Sequence, residues 1–265
     1  MIRKLLAGTD GSDSAELALR RALSVAQSLK AELHVATVCS PDLAQESLPP
    51  GGETPMMIAE QIASGVLRRH AGSGVTLEAS SEVGDPADKL CQIAEDQDVD
   101  LIVVGNQGMG GSLRFRLGSV PNKVSHRAPC SVLVVETTAG IEPTPYATIV
   151  AGTDGSARAG RALATAAEIA QAAGARLILV YAGKAERGRE VLAEAERAFG
   201  AVATMSRIVD AEPAAALIDT AEAEDAGLIV VGNKGMTGAA RFFLGSVPDK
   251  ITHHAMCDVL VVDTA

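Results

Sequence analysis

Leu101-Ile102-Val103-Val104-Gly105-Asn106-Gln107-Gly108, followed after nine residues by Gly118-Ser119-Val120-Pro121, reads as a buried strand, a glycine turn and a helix start. The same order returns as Leu228-Ile229-Val230-Val231-Gly232-Asn233-Lys234-Gly235, nine residues, then Gly245-Ser246-Val247-Pro248. A short apolar β-branched run ended by glycine suits a parallel strand covered on both faces. Gly105 ends that strand where a missing Cβ lets a ligand approach the backbone, and Gly108 permits positive φ in the turn. Ser119 reads as the N-cap of the next helix, and Pro121 falls in the first turn, where its missing N–H costs nothing. Such a start presents free N–H groups and the positive end of the helix dipole. A phosphate is the natural guest.

Each of these pieces has a bland structural counterpart, since glycine turns and capped helices are common. Their recurrence at fixed spacing moves the balance. Upstream, Ala7-Gly8-Thr9-Asp10-Gly11-Ser12 recurs letter for letter as Ala151-Gly152-Thr153-Asp154-Gly155-Ser156, 144 residues later, whereas the offset between the Gly118 and Gly245 helix starts is 127. The second copy is therefore 17 residues shorter between these landmarks. The Pro- and Gly-rich segment from about Ser40 to Met57 has no evident counterpart and accounts for the difference. A repeat of this length is a duplicated domain, expected over residues 1–140 and 146–265, with Ile141-Glu142-Pro143-Thr144-Pro145 as linker.

Within a copy, apolar strands alternate with helical stretches. The first copy predicts strands at Lys4–Gly8, Glu32–Val38, Thr76–Glu82, Leu101–Val104 and Val132–Val135. A helix from about Asp13 carries Ala15, Leu19, Ala22, Ala26 and Leu29 on one face, and the second copy repeats this with Ala159, Leu163, Ala166, Ala170 and Ala173. The fold class that follows is α/β: two tandem five-stranded parallel-sheet domains with helices on both faces. The duplicated terminal strands, Val132–Val135 and Val259–Val262, are apolar enough to be buried together, so the copies are expected to pack about a pseudo-two-fold axis, a pseudo-dimer within one chain. A homodimer of whole chains is left open.

The 265 residues carry a formal charge of −10, which argues against a general binder of nucleic-acid backbones. With no Trp, two Tyr and four Phe, a purine site built on aromatic stacking is not expected. Asp10 follows the first apolar residues too soon for a secretory leader, and no apolar run is long enough to span a membrane. Cys39, Cys91, Cys130 and Cys257 form no CxxC, which fits reduced thiols and a cytoplasmic protein.

Two rival nucleotide motifs fail. Neither copy ends its loop in GK[ST], and both place Gly-Thr-Asp-Gly-Ser where a dinucleotide fingerprint would follow the first strand. Gly-Thr-Asp-Gly-Ser, the G-x2-G-x9-G-S spacing and the terminal Val-Leu-Val-Val strand together resemble the universal stress protein family, in its tandem, ATP-binding form, over nearly the whole chain. The resemblance implies a universal stress protein (adenine nucleotide alpha hydrolase-like) fold and ATP, with or without Mg²⁺, as cofactor. It implies that Asp10 and Asp154 address the adenine with Thr9 and Thr153 beside them, and that Val38 lines the adenine pocket. Gly105, Gly108, Gly118, Ser119 and Val120 would surround ribose and phosphates in the first copy; Gly232, Gly235, Gly245, Ser246 and Val247 would do so in the second.

Residue chemistry alone leaves Asp10 with two readings: an acceptor for the adenine amino group at a strand's carboxyl end, or a turn-forming Asp before the next helix. Lys234, Arg114, Arg116 and Arg241 are phosphate partners or solvated cations. His126, His253 and His254 fall near the last helix of each copy and read as structural, with no ligand set around them. Cys130 and Cys257 precede the last strands and read as buried. No activated nucleophile, catalytic base or metal cluster stands out. The expectation is an ATP-binding stress-response regulator that switches an unidentified protein partner; the alternative is a slow ATP hydrolase or a phosphoryl- or adenylyl-transfer enzyme using the same loops.

Overall fold

The computed structural model describes residues 1–40, 54–108, 117–138, 145–233 and 244–264. The first half runs β1 (Lys4–Thr9), α1 (Asp13–Leu29), β2 (Glu32–Cys39), α2 (Pro55–His70), β3 (Leu77–Val83), α3 (Pro86–Asp96), β4 (Leu101–Gly105), α4 (Ser119–Arg127) and β5 (Ser131–Val135). The second runs β6 (Thr148–Gly152), α5 (Ala157–Ala173), β7 (Arg176–Ala182), α6 (Ala185–Phe199), β8 (Ala203–Val209), α7 (Pro213–Ala223), β9 (Leu228–Gly232), α8 (Ser246–His254) and β10 (Asp258–Val262). The strands form one sheet ordered β3-β2-β1-β4-β5-β10-β9-β6-β7-β8. Every neighbouring pair is parallel except β5 and β10, which run antiparallel.

Burial explains why these runs are strands. In β4, Leu101 and Val103 face a core shared by both halves, while Ile102 and Val104 face a second core beneath α3 and α4. Alternate residues thus leave water on opposite faces, and a strand apolar on both sides has no surface to show. The shared core takes Leu19 and Ala22 of α1, Val66 of α2, Leu163 of α5 and Leu192 of α6. The opposite face of the second half closes under Leu217 of α7 and Ile251 of α8. Helices therefore cover both faces, and one of the two layers is continuous across the halves.

The expected pairing of terminal strands is present, and its register is symmetric. Leu133 stands opposite Leu260, with Val132 opposite Val261 and Val134 opposite Val259. Leu133 and Leu260 are equivalent positions of the repeat, so a local two-fold passes between them. Merging these edges removes two of the four strand edges that separate domains would expose. A buried cluster departs from the symmetry. Arg21 of α1 places Nε 2.6 Å from Asp258 Oδ2 and its guanidinium 4.3 Å from the ring centre of Tyr146, whose hydroxyl donates to the same carboxylate oxygen at 2.7 Å. The repeat equivalents are Thr165, Ser131 and Ile2. Burial pushes the Asp258 carboxyl above the usual range against the pull of Arg21, and pushes the Tyr146 hydroxyl well up as well.

Fifteen residues join β2 to α2, whereas two join β7 to α6. Thirteen of the 17 extra residues therefore lie there, largely within the segment expected from sequence, and the rest lie in α2 and the turn behind it. Residues 41–53 and most of the linker, 139–144, fall outside the described residues.

Helix capping supplies a first prediction. Asp85 Oδ1 accepts from the Ala87 and Asp88 N–H groups at the start of α3, and its Oδ2 accepts from Lys123 Nζ at 2.7 Å. The Lys123 bond, joined by the Asp88 N–H, holds the carboxyl below its usual range. Asp85→Ala is expected to cost about 1 kcal/mol at neutral pH, nearly all from the cap, because the exposed ion pair is screened. A carboxyl depressed in the folded state stabilises above its unfolded pKa, and that contribution is lost as pH falls through the folded value. Urea unfolding of wild type and variant should show the gap narrowing in acid; a gap independent of pH would exclude the ionised cap.

Candidate functional site

The strand order reverses direction between β1 and β4, and again between β6 and β9. At such a switch point the loops leaving the two strands diverge, opening a crevice at their carboxyl ends where open α/β sheets bind ligands. Thr9 and Asp10 leave β1 there, and Gly105 to Gly108 leave β4 beside them.

Local hydrogen bonds fix the first loop. Thr9 Oγ1 accepts from Gly11 N at 3.2 Å, and Asp10 Oδ1 accepts from Ser12 N at 3.0 Å and Ser12 Oγ at 2.6 Å. Ser12 then caps α1 by accepting from Ala15 N. Gly11 takes φ 80°, as its copy Gly155 does, which a side chain would resist. The turn-forming role of Asp10 is thus real and engages Oδ1. The other oxygen, Oδ2, faces the loop after β4: a Cβ on Gly108 would lie 2.8 Å from it. Gly108 is not among the positive-φ glycines, so the sequence argument from φ is corrected: room beside Asp10 is what demands glycine. Gly105 is likewise crowded by protein, with a Cβ meeting Gln107 O at 3.2 Å and Thr137 Cγ2 at 3.3 Å. In the second copy Thr153 Oγ1 accepts from Gly155 N at 3.2 Å and Asp154 Oδ1 from Ser156 N at 2.9 Å.

The helix start differs by one residue from expectation. Gly118, with φ −61° and ψ 163°, is the N-cap of α4, and Ser119 is the first helical residue; Gly245 and Ser246 stand likewise at α8. Neither start carries a side-chain cap, which α6 also lacks, whereas α1, α2, α3, α5 and α7 are each capped by a side chain. Pro121 and Pro248 bring no N–H to the first turn. Val120 and Val247 turn their side chains onto the cores under α4 and α8, so their backbones, not their side chains, are what a ligand could meet.

Asn106 and Asn233 hold these starts in place, a role sequence reading missed. Asn106 O accepts from Gly118 N at 2.8 Å, and its Oδ1 accepts from Thr137 N and Oγ1 at 3.1 and 2.7 Å. Its Nδ2 donates to Glu136 Oε2 at 2.6 Å. Asn233 repeats the pattern with Gly245 N at 2.8 Å, Thr264 Oγ1 at 2.7 Å and Asp263 Oδ1 at 2.8 Å. The available signal was the equal spacing of Asn106 to Glu136 and Asn233 to Asp263, 30 residues in each copy.

The structure therefore brings Thr9, Asp10, Gly105, Gly108, Gly118, Ser119 and Val120 to one edge, with Val38 buried on β2 next to β1. Thr153, Asp154, Gly232, Gly245, Ser246 and Val247 gather at the equivalent edge. Gly235, Lys234, Arg241, Arg114 and Arg116 lie outside the described residues. His126 and His253 close the last helices by bonding the carbonyls of Asn122 and Asp249. Burial pushes the Cys130 and Cys257 thiols up to about 12, which suits packing rather than thiolate chemistry. Among the described residues no group of three or more His, Cys, Asp or Glu is placed to hold a metal, and no helix is long and apolar enough to cross a membrane.

Fold and edge geometry define a tandem α/β protein made of two copies of one open-sheet domain. The family model described as "Universal stress protein family" matches residues 1–136, 145–188 and 181–263, and the chain belongs to that family. A universal stress protein of Mycobacterium tuberculosis is 36% identical over 145 residues, covering 51% of this chain and 97% of its own. A universal stress protein of Mycolicibacterium smegmatis is 26% identical over 284 residues, covering 97% of this chain and 96% of its own. The crystal structure of a universal stress protein from Archaeoglobus fulgidus, 20% identical, superposes with a TM-score of 0.80 over 99% of this chain and 98% of that one, a likeness of fold.

Proposed function

We propose that the chain binds ATP at both switch-point edges and acts as a nucleotide-dependent regulatory switch of a protein partner. The observation that carries this reading is the duplicated helix start that no side chain caps, held by an asparagine carbonyl at the carboxyl end of the strand beside the switch point in each half. The residues present fit the group. The first turns of α4 and α8 would hold phosphates, Asp10 and Asp154 would accept from the adenine amino group, and Thr9, Thr153 and Val38 would border the base. ATP itself would supply the signal, through its occupancy.

Purified protein separates this from the alternative of a slow hydrolase or transferase. Retained or titrated ATP with negligible turnover supports the switch. Saturable turnover lost in Gly118→Val supports an enzyme.

The two sites are expected to be unequal. Fifteen residues follow β2, whose carboxyl end borders the edge where the adenine would sit, and two follow β7. Covering an additional ~50 Å² of apolar surface contributes about 1.2 kcal/mol, close to tenfold in affinity. Lys234 offers the second site a phosphate partner where the first has Gln107, a screened attraction worth under about 1 kcal/mol. Asp10→Ala should therefore weaken the tighter phase of an ATP titration, and Asp154→Ala the weaker one. A greater loss of overall affinity from Asp154→Ala would reverse the ranking.

A further inference from the structure

We propose that Asp258, a residue of the second half, is a positioning residue for the helix start of the first half's site. An unbroken run of hydrogen bonds connects them. Asp258 Oδ1 accepts from Glu136 N at 2.9 Å, just past the end of β5. The Glu136 carboxylate accepts from Asn106 Nδ2 at 2.6 Å, and Asn106 O accepts from Gly118 N, the N-cap of α4, at 2.8 Å. Asn106 is also tied to β5 through its N–H, which donates to Val135 O at 2.8 Å. At the other end Asp258 is held by two groups on Oδ2, Arg21 Nε from the first half and the Tyr146 hydroxyl, so the carboxylate cannot turn away from Glu136 without leaving both. The inference rests on the reading that α4 and α8 start at nucleotide sites.

The mirror image exists but is weaker in kind. Ser131 Oγ of the first half accepts from Asp263 N at 3.1 Å; Asp263 Oδ1 accepts from Asn233 Nδ2 at 2.8 Å, and Asn233 O from Gly245 N at 2.8 Å. Each helix start is thus supported by a side chain of the other half. The first is supported by a buried charge fixed by Arg21 and Tyr146, the second by a half-buried hydroxyl. Neither site is complete within its own half. A charge-assisted chain between fixed elements transmits position better than one through a rotatable hydroxyl, which makes the first site the more firmly built.

The test reads each site alone in the full chain, with Gly245→Val silencing the second or Gly118→Val silencing the first. In the Gly245→Val background, Asp258→Ser, which leaves the Glu136 N–H a neutral acceptor in place of a charged one, should raise the first-site Kd for ATP several-fold, and Glu136→Ala, which breaks the chain outright, about tenfold. Acting through one chain, the two together should do no more than the larger alone. Arg21→Thr/Asp258→Ser, which copies the residues at the mirror positions and leaves no unpaired guanidinium, should keep the fold and show the same loss as Asp258→Ser. In the Gly118→Val background Asp258→Ser should leave the second-site Kd within twofold. Additive losses, or equal weakening of both sites, overturn the proposal. Hydrogen exchange at the Gly118 amide gives a readout without nucleotide: it should accelerate in Asp258→Ser while the Gly245 amide does not. Accelerated exchange in a chain that binds no ATP would keep the wiring and sink the nucleotide reading; bound ATP with unchanged first-site Kd and Gly118 exchange would sink the wiring.

Discussion

In a chain carrying both Gly118→Val and Gly245→Val, ATP affinity is expected to fall by about a hundredfold or more with the fold retained. The reason is steric and local. Both glycines have φ near −65°, a conformation open to any residue, so backbone strain contributes nothing. A Cβ on Gly118, however, would stand 3.3 Å from Asn106 O and 3.5 Å from Pro121, and valine adds two methyl groups beyond it. They project at the mouth of an uncapped helix start, where a phosphate would need to meet backbone N–H groups. The destabilisation should stay within the roughly 1–3 kcal/mol usual for overpacking, so circular dichroism should still report a native spectrum. Ser119→Ala should do much less, because Ser119 is the first helical residue and not the cap. Unchanged affinity in the folded double variant would remove these loops from the site.

Asp258→Ala is expected to lower the unfolding free energy by about 3–5 kcal/mol, the usual consequence of leaving one member of a buried ion pair without its partner. Asp258 is 3% exposed, pairs with Arg21 and accepts from the Tyr146 hydroxyl and the Glu136 N–H, so its removal takes away a buried ion pair and two hydrogen bonds together. Tyr146→Phe removes one hydroxyl and keeps the ring beneath Arg21, so its cost should be about 1–2 kcal/mol. Ser131→Ala, at the mirror position, should cost no more than about 1 kcal/mol. Urea unfolding monitored by circular dichroism measures all three. Comparable losses at Asp258 and Ser131 would mean that the asymmetric charge adds nothing to the pairing of the halves.

Much of this fold is legible in the residues, for physical reasons. The five strands of the first half fall within a residue or so of their expected limits; β1, β2, β4 and β5 are largely apolar and buried on both faces, whereas the edge strand β3 mixes polar and apolar residues and is only partly buried. Ala15, Leu19, Ala22 and Ala26 are buried as helical spacing requires; Leu29, in the last turn of α1, is only partly so. Pairing of Val132–Val135 with Val259–Val262 followed from an apolar edge that needed cover. Polar contacts between distant residues left no comparable trace. Ser119 was read as the cap because serine caps helices, yet the Asn106 carbonyl holds Gly118 at that point and shifts the start by one residue. Arg21 stands on α1 among stripe residues with threonine in its copy, and no period in the sequence tells that it crosses to Asp258. Asp10 shapes the turn before α1 through Oδ1, as its place ahead of a helix suggests.

Calorimetric titration of the purified 265-residue chain with ATP tests the central claim most directly. The account predicts saturable binding that approaches two nucleotides per chain, with the tighter phase lost in Asp10→Ala and both phases lost in Gly118→Val/Gly245→Val. An absence of saturable heat in the wild-type chain, in protein shown by mass spectrometry to release no nucleotide on denaturation, would contradict it.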